Sequence, residues 1–179
     1  VEEPNHPIAR LKTPQQQRYL DLDRRVSELF KSPAKPQAKA VTGTAASARV
    51  LPADDLYASA MAAVKKKDFA SALTQLDLFA KNYPQHALAG NALYWSGEVE
   101  LAEGNFDVAI KQFLNVVNNY PKHNKVADSH YKLAVAYDRS GKTDKAKETL
   151  KVVIKQYKGI SDSVVRLAER YLSRLEGAQ

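Results

Sequence analysis

From residue 53 onward, apolar positions recur three and four residues apart, the period of helices that each bury one face. A longer period lies over this one. The stretch YWSGEVELAEGNFDVAIKQFLNVVNNYP at 94–121 is echoed at 131–158 by YKLAVAYDRSGKTDKAKETLKVVIKQYK and at 57–84 by YASAMAAVKKKDFASALTQLDLFAKNYP, each copy 37 positions from the next. Every copy predicts two helices. In the middle one, Leu93, Ser96, Gly97 and Leu101 mark the first helix, and Gly104 and Asn105 mark the turn. Phe106, Ala109, Ile110, Phe113, Val116 and Val117 mark the second helix, which Tyr120 and Pro121 close. Ala60, Gly97 and Ala134 correspond between copies, as do Ala72, Ala109 and Ala146. Small residues suit positions where helices cross closely, because interaxial distance follows side-chain size. One helix pair cannot bury both of its apolar faces, whereas three stacked pairs share a continuous core. ISDSVVRLAERYLSRLEG at 160–177 predicts a terminal helix, starting at Ser161 or Ser163, that covers the open end of the stack. Its Arg166, Arg170 and Arg174 fall on one outer, solvated face.

The first fifty residues read differently. Residues 1–12 hold Pro4 and Pro7 and no period, which predicts a flexible start. Residues 13–30 predict a helix, with Thr13 as N-cap and Pro14 at the first helical position. Tyr19, Leu22, Val26 and Leu29 follow at spacings of three, four and three, the seam of a short coiled coil and the expected site of weak self-association. The alternative is an amphipathic helix docked on its own domain. Residues 31–52 are rich in Ala, Pro, Lys, Thr and Ser and predict a disordered linker, because they have little apolar surface to bury. The expected organisation is therefore all-α. A short coiled-coil helix precedes a solenoid at 53–179, with repeats near 53–89, 90–126 and 127–163 and a capping helix near 161–176.

Composition narrows the chemistry. The chain has no cysteine, which excludes disulfides and thiolate metal sites. No apolar run reaches the roughly 20 residues that span a bilayer, so no membrane insertion is expected. The chain begins at Val1, without an initiator Met or a signal-like stretch, and reads as a processed product. The net charge of +7 is unevenly spread, being zero over 1–30, +4 over 31–53 and +3 beyond. A basic C-terminal end suits an acidic partner or nucleic acid. Its lysines alternate with acids and carry no RNA-binding signature, so a solvated helix surface is the expectation.

The phrase Phe-x-x-Ala-Ile, followed by Phe and then Tyr-Pro, resembles the tetratricopeptide repeat, a helix–turn–helix unit of about 34 residues. The run from Asn91 to Tyr157, together with YLDLDRRVSEL at 19–29, resembles more closely the CpoB/YbgF family of Tol-Pal-associated periplasmic division coordinators. That resemblance implies a periplasmic location and self-assembly through the N-terminal coiled coil. It also implies binding to a TolA-like protein and contact with a peptidoglycan synthase, which together couple septal wall synthesis to outer-membrane constriction. Ser96, Glu100 and Lys158 depart from the repeat pattern.

No catalytic constellation is expected, nor any cofactor or metal. His86 and His123 occupy the same loop position, in YPQH and YPKH, and read as echoes of the repeat. SGKT at 140–143 lacks the earlier glycine of a phosphate loop, with Ala136 in its place, and falls where the other copies place a turn. SHYK at 129–132 lacks the companion motifs of its nucleophile class. Binding is the remaining function. In this architecture the first helix of each pair lines the concave surface, where Tyr57, Tyr94 and Tyr131 form a ladder. Asn91, Glu98, Leu101, Asp128, Val135 and Asp138 are its expected neighbours. Such tyrosines suit an extended or helical peptide. They equally suit packing between adjacent first helices, and the pattern leaves both roles open.

Overall fold

The computed structural model describes residues 51–177. The coiled-coil seam at Tyr19, Leu22, Val26 and Leu29 lies outside these residues, as does the linker up to residue 50. Among the described residues, seven helices follow in chain order: α1 (Ala53–Lys66), α2 (Phe69–Asn82), α3 (Ala89–Glu103), α4 (Phe106–Asn119), α5 (Val126–Arg139), α6 (Thr143–Tyr157) and α7 (Asp162–Gly177). Each packs against its neighbours in the chain, and α5 also touches both α3 and α7. The described residues thus form three antiparallel pairs in series, with α7 laid where the first helix of a fourth pair would stand.

The turn within each pair uses one backbone solution. Lys67, Gly104 and Gly141 lie 37 apart, and all three are left-handed, with φ of 59°, 85° and 78°. The N–H groups of Lys67 and Gly104 close the ends of α1 and α3 by bonding back to Ala63 and Val64, and to Glu100 and Leu101. Asp68 then caps α2, its side chain accepting the Ser71 N–H at 3.2 Å. A left-handed residue reverses the chain within two positions, and glycine adopts that conformation without steric cost.

The close crossings are visible. A Cβ on Gly97 would lie 2.7 Å from the Phe113 ring, so α3 and α4 approach to a distance that only glycine permits. Ala60, Ala134, Ala72, Ala109 and Ala146 are fully buried. Phe79, Phe113, Leu76 and Leu150 fill the space between crossings, also fully buried. Burying such side chains contributes about 1.5–3 kcal/mol each.

The turns between pairs carry a second set of contacts. The Tyr83 hydroxyl donates to the Leu51 carbonyl at 2.8 Å, and the Tyr120 hydroxyl donates to the Pro84 carbonyl at 2.9 Å. The Tyr157 hydroxyl meets His130 Nδ1 at 2.8 Å. These repeat tyrosines therefore tie the end of each second helix back to chain that came before it.

Candidate functional site

The expected ladder positions separate by environment. Tyr57 is fully buried and meets the Phe79 ring edge-on at 5.6 Å. Tyr94 is 4% exposed and packs against Phe113 at 6.0 Å and Trp95 at 5.4 Å. Tyr131 is half-buried and stands edge-on to Tyr171 of α7 at 6.2 Å. Of the packing and binding roles left open by the pattern, packing is thus directly visible at all three.

The neighbouring positions line up in register. Tyr57, Met61 and Val64 on α1 correspond to Tyr94, Glu98 and Leu101 on α3, and to Tyr131, Val135 and Asp138 on α5. Ala168, Leu172 and Leu175 continue the register on α7. Spacings of four and three put each trio on one helix face. Two polar links join successive first helices along this track. Lys132 donates from Nζ to Glu98 Oε2 at 2.7 Å. The Tyr171 hydroxyl donates to Asp138 Oδ2 at 2.8 Å, while Asp138 Oδ1 accepts from Thr143 at 3.2 Å. Burial, then the Asp138 bond and charge, push the Tyr171 hydroxyl up to about 12. It therefore stays a donor at any working pH. Asn91 and Glu98 are buried, and Asp128 is half-buried at the start of α5. Glu98 Oε1 is buried without a hydrogen-bond partner.

Sequence reasoning missed the cationic edge of this face. Lys125 at the start of α5 holds its ammonium 4.9 Å from the Tyr94 ring centre and 5.9 Å from that of Trp95. At α7, the Arg174 guanidinium sits 4.1 Å over the Tyr171 ring. Cation–ring contacts need three-dimensional proximity, and no spacing rule within one repeat announces them.

The inter-pair loops form a second concavity, an open cleft of about 880 Å³ bordered by Pro84, His86, Asn119, Tyr120, Pro121 and His123. Both histidines are engaged in holding backbone. His86 Nδ1 accepts the Leu88 N–H and His123 Nδ1 accepts the Lys125 N–H, at 3.2 and 3.1 Å. An accepting Nδ1 leaves the proton on Nε2. In His123 that Nε2 donates to the Ala87 carbonyl at 3.1 Å. A Cβ on Gly90 would lie 2.7 Å from the His123 ring, a close approach that the repeat spacing alone does not reveal. Among the described residues, no group of three or more His, Asp or Glu side chains is arranged to hold a metal ion. None of the described helices is long and apolar enough to cross a membrane.

Comparison with known proteins agrees with the fold. One tetratricopeptide-repeat family model matches residues 88–159, and another matches residues 56–86. Cell division coordinator CpoB from Pseudomonas putida strain KT2440 is 37% identical over 124 residues, covering 59% of this chain and 46% of that protein. A second Pseudomonas putida protein of the same name matches to the same extent. The chain spans about half the length of these curated relatives (46%).

Proposed function

Because the chain belongs to the tetratricopeptide-repeat family, we propose that it is a non-enzymatic adapter that coordinates bacterial cell division by holding partners on its first-helix face. The observation that carries this reading is the register of that face. The same three positions recur on α1, α3, α5 and α7, and they supply a mostly apolar track, interrupted by the carboxylates of Glu98 and Asp138, with Lys125 and Arg174 beside its rings. Aromatic anchors with a polar rim are the usual composition of a protein-binding site. The name of the Pseudomonas putida relatives supports division as the process.

The finer reading follows from the family resemblance of the sequence. The chain works in the periplasm, binds a TolA-like protein and contacts a peptidoglycan synthase. It thereby links septal wall synthesis to outer-membrane constriction. The test is co-purification from an envelope extract, followed by titration with the isolated TolA-like partner. Saturable one-site binding that varies little with salt supports the reading. If neither partner is retained by the folded protein, the partner assignment fails, although the repeat fold stands.

A further inference from the structure

Charge is divided along the stack. Residues 54–121 carry 5 basic and 8 acidic side chains, a net of −3, whereas residues 122–179 carry 13 and 7, a net of +6. On α7 the two signs are sorted by side. Glu169 and Glu176 lie two turns apart on one side, and Glu176 approaches Lys151 of α6 at 3.7 Å. Leu167, Arg170 and Arg174, at spacings of three and four, lie on another side, and all three are exposed. The Arg174 guanidinium lies 4.1 Å over the Tyr171 ring, which is itself held by the hydroxyl bond to Asp138 and by its edge-on contact with Tyr131. Burial pushes the Tyr131 hydroxyl up, and the charges of Lys132, Arg174 and Arg170 pull against that rise, so three cations gather at this end of the face. Stacking engages the flat face of a guanidinium and leaves its in-plane N–H donors unused. Among the described residues, neither Arg170 nor Arg174 makes a hydrogen bond or an ion pair with them. We propose that the α7 end of the first-helix face docks an acidic segment of the division partner, with side-chain carboxylates on Arg170 and Arg174 and an apolar side chain on Leu167. This deepens the adapter reading and rests on it only for the identity of the partner.

The chemistry of this edge selects the occupant. A guanidinium presents parallel N–H groups that match a carboxylate, and the resulting hydrogen bonds are charge-assisted. Arg174 is already oriented by the Tyr171 ring, so less side-chain freedom is lost when the pair forms. Asp138 fixes that ring as a platform through both of its oxygens, one on Tyr171 at 2.8 Å and one on Thr143 at 3.2 Å. Arg170 and Arg174 are one turn apart, with Cβ atoms about 5–6 Å from each other. Two Glu side chains at i and i+4 on a partner helix share that separation. Leu167, 37% exposed, continues the line one turn earlier and offers the apolar contact. Lys132 differs from the arginines, because its ammonium is already bonded to Glu98 at 2.7 Å, and it adds positive potential rather than a new pair. The divided charge also orients the partner, with its acidic part toward α7 and any basic part toward the net-negative pairs α1–α4.

The experiment titrates the full chain into a fluorescein-labelled amphipathic helical peptide with Leu and Glu along one face, followed by anisotropy. The same peptide with every Glu replaced by Gln is the control probe. The Glu peptide is expected to bind, and Arg170→Gln/Arg174→Gln to weaken it at least about tenfold. Lys155→Gln/Lys158→Gln removes the same charge from exposed positions on and just after α6 and is expected to change affinity by less than about twofold. Arg174→Lys keeps the charge without the planar fork, so it is expected to bind more weakly than wild type. Each substituted side chain is exposed, so the cooperative melt is retained. For this short probe the ion pairs are most of the contact, and affinity falls with added salt, whereas a full partner held mainly by apolar contacts varies little. Equal binding of the Glu and Gln peptides overturns the proposal. So does a lysine variant that loses as much as the arginine variant, because the edge would then act only through its general field. Tighter binding of phosphatidylglycerol vesicles or single-stranded DNA through the same arginines also overturns it, in favour of a phosphate ligand. No division partner enters these titrations, so a wrong partner assignment does not affect them. A division partner that binds wild-type and arginine-variant protein equally would keep the adapter reading and remove this inference.

Discussion

Phe113 shows how far a single side chain sets this fold. Its ring is fully buried, meets Tyr94 at 6.0 Å, and occupies the space that Gly97 leaves open. Phe113→Ala is expected to cost about 3–5 kcal/mol, since a cavity adds to the lost burial. Denaturant unfolding followed by circular dichroism checks this, and a loss below about 1 kcal/mol would mean that the core collapses to fill the space. His130 carries a second residue-scale prediction. Burial holds its imidazole below the ordinary 6.5, because the charged form is desolvated beside Tyr157. The neutral form is therefore favoured in the folded state. Its contribution is fully present above 6.5 and is lost as pH falls below 6.5 through the lower folded value. Melting midpoints should fall between pH 7 and 5, and His130→Gln should reduce that slope. Comparing the two proteins isolates the part of the slope that belongs to His130. An unaltered slope would place the acid sensitivity elsewhere.

At the scale of elements, much is legible in the sequence alone. The three-and-four spacing and the 37-residue echo specify helix pairs, and Ala60, Gly97 and Ala134 mark where they cross. What stays hidden depends on contacts between copies. Tyr83 and Tyr120 are plain in the sequence as helix ends, yet their hydroxyl bonds back to Leu51 and Pro84 need the stacked geometry. The Gly90–His123 approach is hidden for the same reason. The ladder tyrosines show the limit most clearly. Periodicity puts them on one register, but it does not say that Tyr94 is nearly enclosed while Tyr131 is only half-buried. Turn chemistry offers a direct test. Lys67 takes the left-handed conformation that Gly104 and Gly141 take in the other copies. A side chain in that region costs about 1–2 kcal/mol, partly offset in glycine by greater freedom when unfolded. Lys67→Gly should therefore stabilise the fold by about 0.5–1 kcal/mol, read as a rise in the urea midpoint at constant slope. A lower midpoint would mean that the lysine stem contributes packing worth more than the strain.

The described residues form one stack of helices, and the face proposed for recognition runs along its first helices. Truncating Tyr94 would confuse binding with stability, because its ring packs on Phe113 and Trp95. Tyr131 separates the two, being half-buried on the same register with its ring against Tyr171. A central aromatic at an interface commonly costs 2 kcal/mol or more on truncation, about thirtyfold in affinity. The most direct measurement is calorimetric titration of the TolA-like partner into wild-type and Tyr131→Ala protein, beside their melting curves. The expected result is affinity weakened at least about tenfold, some 1.4 kcal/mol, in a variant that still melts cooperatively. Wild-type affinity in a folded Tyr131→Ala protein would contradict this and move the partner off the first-helix face.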